Sequence, residues 1–458
     1  MKSRAILYIL LAAAILVAVA GFVADFKNTA FYGGVDLRNR VTAARVAQEL
    51  KQDPYFYKWS PKESDRYLDP SDNTAIPVAR VTVPPTVLLF QNLISALPYG
   101  TQRWIWFAFQ WAALIASLAL LAQYVYRVSE ESCAKRNRLL VITLGLLFIS
   151  GSSFWRLHVE RGQIYVWYVS LFSAALYLYS RAEEKSSALQ APPLTKEEYE
   201  WLPLAASGLI LGYLISLRPP FIFAIIPFLL YKKFKFVSFV AAGALTSVLI
   251  TGLFFPFALW KSYEQSATFQ GAMRTDAATN FTSVGVDVAE GMNIHEFLSV
   301  PGEDSSLQRI IRGATGQWVG SATLALLLVI TTALLAFFMY RFHPSLSVGT
   351  NDLFLAGIAF TMLAELFIPA PRWPYADVIW LIPLALLVQK LSTTTRGTLR
   401  STVLGLMLTG LMLNTGVHGI SRLTLLGEGL FIGALLLALL SKEKKSSAFQ
   451  APPLAKEE

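Results

Sequence analysis

Apolar runs alternate with short polar breaks along most of the chain, at lengths that suit helices crossing a bilayer. The runs predict spans over residues 6–23, 104–126, 139–150, 164–179, 202–217, 221–230, 237–259, 319–340, 353–368, 378–388, 403–413 and 423–440. The expected fold is therefore an all-α polytopic membrane protein with about twelve transmembrane helices. Two long polar loops, 24–100 and 260–317, interrupt the alternation. With an even number of crossings both fall on one side, and both termini on the other. In the first loop, residues 39–50 put Val41, Ala44, Val46 and Leu50 on one side of an amphipathic helix. Pro84-Pro85 opens a second helix over 86–97, too short to cross and suited to the interface.

Composition agrees with this pattern. Apolar residues make up 54% of the chain and charged residues 15%, a balance that excludes an ordinary soluble domain. The net charge of +9 is spread over the loops between spans. It points to membrane-surface and phosphate contacts, with no nucleic-acid partner. A single cysteine, Cys133, rules out an internal disulfide. The first run, with its basic start and an Ala-Val-Ala stretch, also fits a cleaved leader. Its length favours an uncleaved anchor with the amino terminus inside. The segment EEKSSALQAPPLTKEE at 183–198 returns as EKKSSAFQAPPLAKEE at 443–458, differing at three positions. Both copies read as solvated cytoplasmic linkers, so residues 1–440 form one transmembrane domain and 441–458 a cytoplasmic tail.

Charge placement raises the chemical question. Lys and Arg collect in the loops assigned to the inner side. Yet Arg156, Arg161, Arg218 and Arg372 sit in short turns on the outer side. Arg38, Arg40 and Arg45 follow Asp36 in the first long loop, just past Gly33-Gly34. Ionisable groups at a membrane boundary mark functional sites by default, and several guanidiniums near one carboxylate make an anion site. A positioned carboxylate can also serve as a general base. Tyr55, after the turn-forming Asp53-Pro54, and His158, near Arg161, are further candidates, although a turn and a plain hydrogen bond account for each as well. In the second long loop His295, Asp287, Glu290, Glu296, Glu303 and Asp304 lack a dense metal-ligand spacing. A divalent metal is left open as a cofactor. There is no Walker loop, dinucleotide fingerprint or nucleophile elbow.

Five stretches carry a resemblance: VDLRNRVTAARVAQELKQDPYFYKW, VTVPPTVLLFQNLISALPY, RGQIYVWYVSLFSAALYL, GLILGYLISLRPPFIFAIIPFLLYKKFKF and PAPRWPYADVIWLIPLALL. Their order resembles the GT-C glycosyltransferases, most closely the bacterial family 87 mannosyltransferase-like proteins. The resemblance implies transfer of a sugar, mannose or another hexose or pentose, from a polyprenyl-phosphate-linked donor to a glycan or lipid acceptor. It implies inversion at the sugar carbon, a site on the extracytoplasmic side of the bacterial inner membrane, and Asp36 as catalytic base. Arg218, Arg38, Arg161 and Arg372 would bind the donor phosphate, and Gln163 and Tyr375 would touch sugar or acceptor. The acid is single, without the adjacent Asp-Glu pair some relatives carry. PAPRWPYAD stands where some members carry an SPxSWxHH-like stretch. Two other classes share the gross pattern: a secondary transporter, and a ligase or polymerase of diphosphate-linked glycans.

Overall fold

A computed structural model of the chain describes residues 2–31, 34–57, 81–188, 193–275, 306–317, 319–342, 348–368, 372–394, 397–415 and 422–440. Both copies of the repeat lie wholly or partly outside the described residues, as do His295 and the acids of the second long loop. Every regular element among the described residues is helical. In chain order these are α1 (Lys2–Phe31), α2 (Val35–Gln48), α3 (Pro85–Ser95), α4 (Tyr99–Val128), α5 (Glu131–Gly145), α6 (Ser153–Arg161), α7 (Tyr165–Ala188), α8 (Pro193–Leu217), α9 (Ile226–Leu230) and α10 (Phe234–Phe254). There follow α11 (Ala258–Thr275), α12 (Leu307–Thr315), α13 (Ser321–Phe342), α14 (Thr350–Phe367), α15 (Leu381–Thr393), α16 (Gly397–Thr415) and α17 (Arg422–Leu439).

Six of the helical stretches are long and apolar enough to cross a bilayer, seven if the bent pair α5–α6 counts as one span. This is a multi-pass membrane protein. Of the remaining expected crossings, three are shorter apolar helices, Trp201–Leu217, Pro219–Leu230 and Leu423–Leu439, and two lie in α7 and α16, which are long enough but are not among the six. The physical reason is clearest after Arg218. Pro219 and Pro220 remove two amide donors, so the chain takes a 3-10 turn over Pro219–Ile225 before the short α9. At the third expected span, α5 passes through a π-turn at Leu146–Ser150 and then bends by 65° into α6.

The first long loop also departs from expectation. Its helix starts at Val35, not Asn39, and so takes Asp36 into its first turn. Residues 37–47 of α2 are buried, on the apolar and polar faces alike, so this helix lies inside the protein and not along an interface. Helix packing follows membrane rules, with small residues where backbones meet. Gly212 of α8 and Gly243 of α10 face each other so closely that a Cβ on either would strike backbone atoms of the other helix within 2.5 Å.

Polar contacts gather at two ends of the bundle. At one end Trp155 Nε1 of α6 donates to Asp25 of α1 at 3.1 Å, and Arg218 meets Glu365 of α14. At the other, Lys390 of α15 meets Asp352 of α14 at 2.7 Å, and Lys233 meets Glu183 of α7 at 3.5 Å. Helix α7 joins the two: Tyr165 and Glu183 lie about 27 Å apart along its axis.

Candidate active site

The first end of the bundle holds the candidate site. Helix α2 begins at Gly34, whose φ of +63° suits glycine and whose carbonyl accepts a hydrogen bond from Tyr99 Oη at 3.0 Å. Asp36 follows in the first turn, where the helix dipole favours a carboxylate. Helix α6 ends at Gly162, φ +69°, and the chain turns there to present Gln163. Gln163 Nε2 donates to Asp36 Oδ2 at 2.5 Å, and Arg161 Nη1 lies 3.7 Å from the same oxygen. Oδ1 has no hydrogen-bond partner among the described residues. The carboxylate is thus held by one oxygen and open at the other, with 23% of its side chain exposed.

Arg40, one turn further along α2, fastens this joint. Its guanidinium is buried, donates to the Gly162 carbonyl and to Gln91 Oε1, and lies 5.1 Å over the Trp106 ring. Trp106 Nε1 in turn donates to the Gln163 carbonyl at 3.2 Å. Burial raises the Asp36 pKa above its ordinary value, and Arg161, Arg40 and the Gln163 hydrogen bond oppose that rise. A carboxylate shifted upward is a better proton acceptor at neutral pH, provided it stays ionised.

From Asp36 a run of contacts crosses the end of the bundle. The Arg161 guanidinium lies 4.9 Å from the Trp373 ring and 5.9 Å from Tyr375. Tyr375 packs on Tyr165 with ring centroids 5.7 Å apart. Arg218 sits 5.1 Å over the Tyr165 ring, and its Nε and Nη2 each lie 3.0 Å from Glu365 Oε1. Beyond them Arg372 is buried between two acids, donating to Asp377 Oδ1 at 2.9 Å and to Glu428 Oε2. Asn414 Nδ2 donates to Asp377 Oδ2 at 2.7 Å, which ties this turn to α16 and α17.

The expected site residues therefore divide. Asp36, Gln163, Arg161, Tyr375 and Arg218 share one continuous patch. Arg372 borders it with its charge already answered by two carboxylates. Arg38 is buried within α2. His158 is buried too: its Nε2 accepts from the Val166 amide at 3.2 Å and its ring stacks on Trp155, so it caps the start of α7. Tyr55 is fully buried on another face of α2, where its hydroxyl donates to the Val83 carbonyl at 2.8 Å. Asp53 Oδ1 accepts from the Tyr55 amide at 2.9 Å, the turn expected of Asp-Pro. Among the described residues, no three His, Cys, Asp or Glu side chains converge as metal ligands. A small open cleft of about 10 Å³ adjoins the first turn of α2; Gly34, Leu37 and Gly162 line it and Asp36 does not.

Glu365 and Tyr165 did not stand out in the sequence as site residues, and Arg40 was grouped with the arginines beside Asp36 without a role of its own. Glu365 had a readable signal, since it is an acid near the end of an otherwise apolar run. Asp25 carries the same signal in α1. Tyr165, and the part Arg40 plays, are visible only through what they touch.

Comparison with known proteins adds one finding. The model of glycosyltransferase family 87 matches residues 82–369, well over half the chain. The chain belongs to glycosyltransferase family 87. It is a membrane glycosyltransferase, and its helices bring the enzyme to the bilayer in which a lipid-linked donor resides. No curated protein and no solved structure matches. The matched stretch contains Arg161, Gln163, Tyr165, Arg218 and Glu365; Asp36 lies before it.

Proposed function

We propose that this family 87 enzyme moves a sugar, mannose or another hexose or pentose, from a polyprenyl-phosphate donor to a glycan or lipid acceptor. Asp36 takes the proton of the acceptor hydroxyl through its open Oδ1. The acceptor oxygen then bonds to the anomeric carbon from the face opposite the lipid phosphate. The sugar–phosphate bond breaks with its electron pair on the phosphate, and configuration inverts. Arg161 and Arg218 answer the charge that gathers there. They are the candidate arginines with exposed side chains, at 27% and 32%, whereas Arg372 and Arg38 are buried. Gln163 holds the base, and Tyr375 and Tyr165 line the space between base and phosphate.

The observation that carries this reading is the half-anchored Asp36 carboxylate, joined by direct contacts to Arg161 and onward to Arg218. The site lies on the extracytoplasmic side of the bacterial inner membrane, with both termini cytoplasmic and about twelve helical crossings, short ones included. Asn at position 36 can still accept from Gln163, so Asp36→Asn should fold. Losing a general base lowers transfer by about 100- to 10,000-fold. Purified wild type and Asp36→Asn, given radiolabelled polyprenyl-phosphate sugars, decide the matter; equal turnover would remove Asp36 as the base.

A further inference from the structure

Glu365 has no part in the reaction as written, yet it is 8% exposed and its carboxylate touches Arg218. The contact is one-sided. A single oxygen, Oε1, accepts the Nε hydrogen at 3.0 Å and pairs with Nη2, also at 3.0 Å, along one edge of the guanidinium. Tyr165 covers one face of the group at 5.1 Å. Nη1 has no partner among the described residues, and about a third of the side chain stays exposed. A guanidinium offers two forks, one along the Nε edge and one at the Nη1/Nη2 end. Glu365 occupies the first and leaves Nη1, at the second, without a partner among the described residues.

The backbone explains why Arg218 needs a holder. The residue stands alone between the end of α8 and the 3-10 turn, with extended φ and ψ of −144° and 91°. Its backbone is tied to the turns on either side, through Leu214 and Phe221, but its guanidinium is held only by Tyr165 and Glu365 among the described residues. Glu365 comes from α14, so the clamp reaches across the bundle from a second element.

We propose that Glu365 is a positioning residue: it locks the Arg218 guanidinium so that the free fork meets the donor's phosphate oxygens. This rests on the reading of Arg218 as the phosphate contact. Orientation fixed in advance costs the donor nothing on binding, so the effect falls on donor KM more than on kcat.

The experiment measures donor KM and kcat for Glu365→Ala, Glu365→Gln, Arg218→Gln and the Arg218→Gln/Glu365→Ala pair, all in proteoliposomes. Glu365→Ala should raise donor KM by about tenfold or more, the size of a lost charge-assisted hydrogen bond. Glu365→Gln keeps an oxygen able to accept from the same edge and should stay near wild type. The double variant should be no worse than Arg218→Gln alone, because Glu365 acts only through Arg218. If Glu365→Ala does not give a monodisperse protein, Glu365→Asp carries the test. It keeps the charge but draws the oxygen back by one methylene, so donor KM should again rise.

An unchanged or lowered donor KM in Glu365→Ala would overturn the proposal, the second showing a competitor for Arg218 and not a holder. Additive losses in the double variant would overturn it too. If Arg218→Gln itself leaves donor KM unchanged, the phosphate-contact reading falls, and this inference falls with it. If Arg218→Gln raises donor KM while Glu365→Ala does not, only the positioning role is lost.

Discussion

Replacing Gly162 by alanine tests whether the joint between α2 and α6 sets the geometry of the reaction. Gly162 has φ +69°, and a Cβ there would stand 2.7 Å from Leu37 Cβ. The left-handed conformation costs an alanine about 1–2 kcal/mol. The clash adds to this, since an ordinary carbon contact begins well over half an ångström further out. Leu37 follows Asp36 and Gln163 follows Gly162, so any relief moves the proposed base against the side chain that holds it. Arg40 is drawn in as well, because it donates to the Gly162 carbonyl. A misplacement near 1 Å costs on the order of 100-fold in rate. The expected outcome is a fall of about ten- to 100-fold in initial transfer rate, with the protein still folded. Labelled-sugar transfer in proteoliposomes measures the rate, and thermal unfolding in detergent measures the stability. Gly100→Ala is the control, since a Cβ there meets nothing within 4 Å. A Gly162→Ala enzyme as fast as wild type would refute the argument that this joint positions Asp36.

Two further predictions concern charge. Burial raises the Asp36 pKa, and the proposed base must be ionised to act, so kcat/KM should fall on the acid side through a pKa above the ordinary 3.8. Arg161→Gln removes the largest opposing influence and should move that limb to still higher pH; a pH–rate profile that does not move would contradict it. At the opposite end of the bundle, Lys390 is fully buried against Asp352 at 2.7 Å. Lys390→Met strands a buried carboxylate and should cost about 3–5 kcal/mol, most of it recovered in the Lys390→Met/Asp352→Asn pair. Thermal unfolding of the two variants in detergent tests this.

Much of the candidate site, as the geometry groups it, could be read in the chain before any geometry was known. Asp36, Arg161 and Arg218 were all singled out by one argument: charge at a membrane boundary needs a reason. The same argument applied to the interior of the apolar runs would have found Glu365 and Asp25. It also selected Arg372, whose two acid partners come from its own turn and from α17, a pairing no local pattern reveals. Tyr55 and His158 were chosen for residue type and neighbourhood. Their hydrogen bonds to Val83 and Val166 turned them into parts of the frame.

Hydropathy period and length determined that the chain is helical and embedded in a bilayer, because backbone groups in lipid must be satisfied within each segment. They also located the breaks, since proline and charge act within a turn of where they stand. Which side chains meet was decided only by the packed bundle. Asp36 and Gln163 lie 127 residues apart in the chain, and Arg218 and Glu365 lie 147 apart. Contacts over such distances depend on how helices cross, and helix crossing is set by the fit of whole surfaces, not by the order of residues along any one of them.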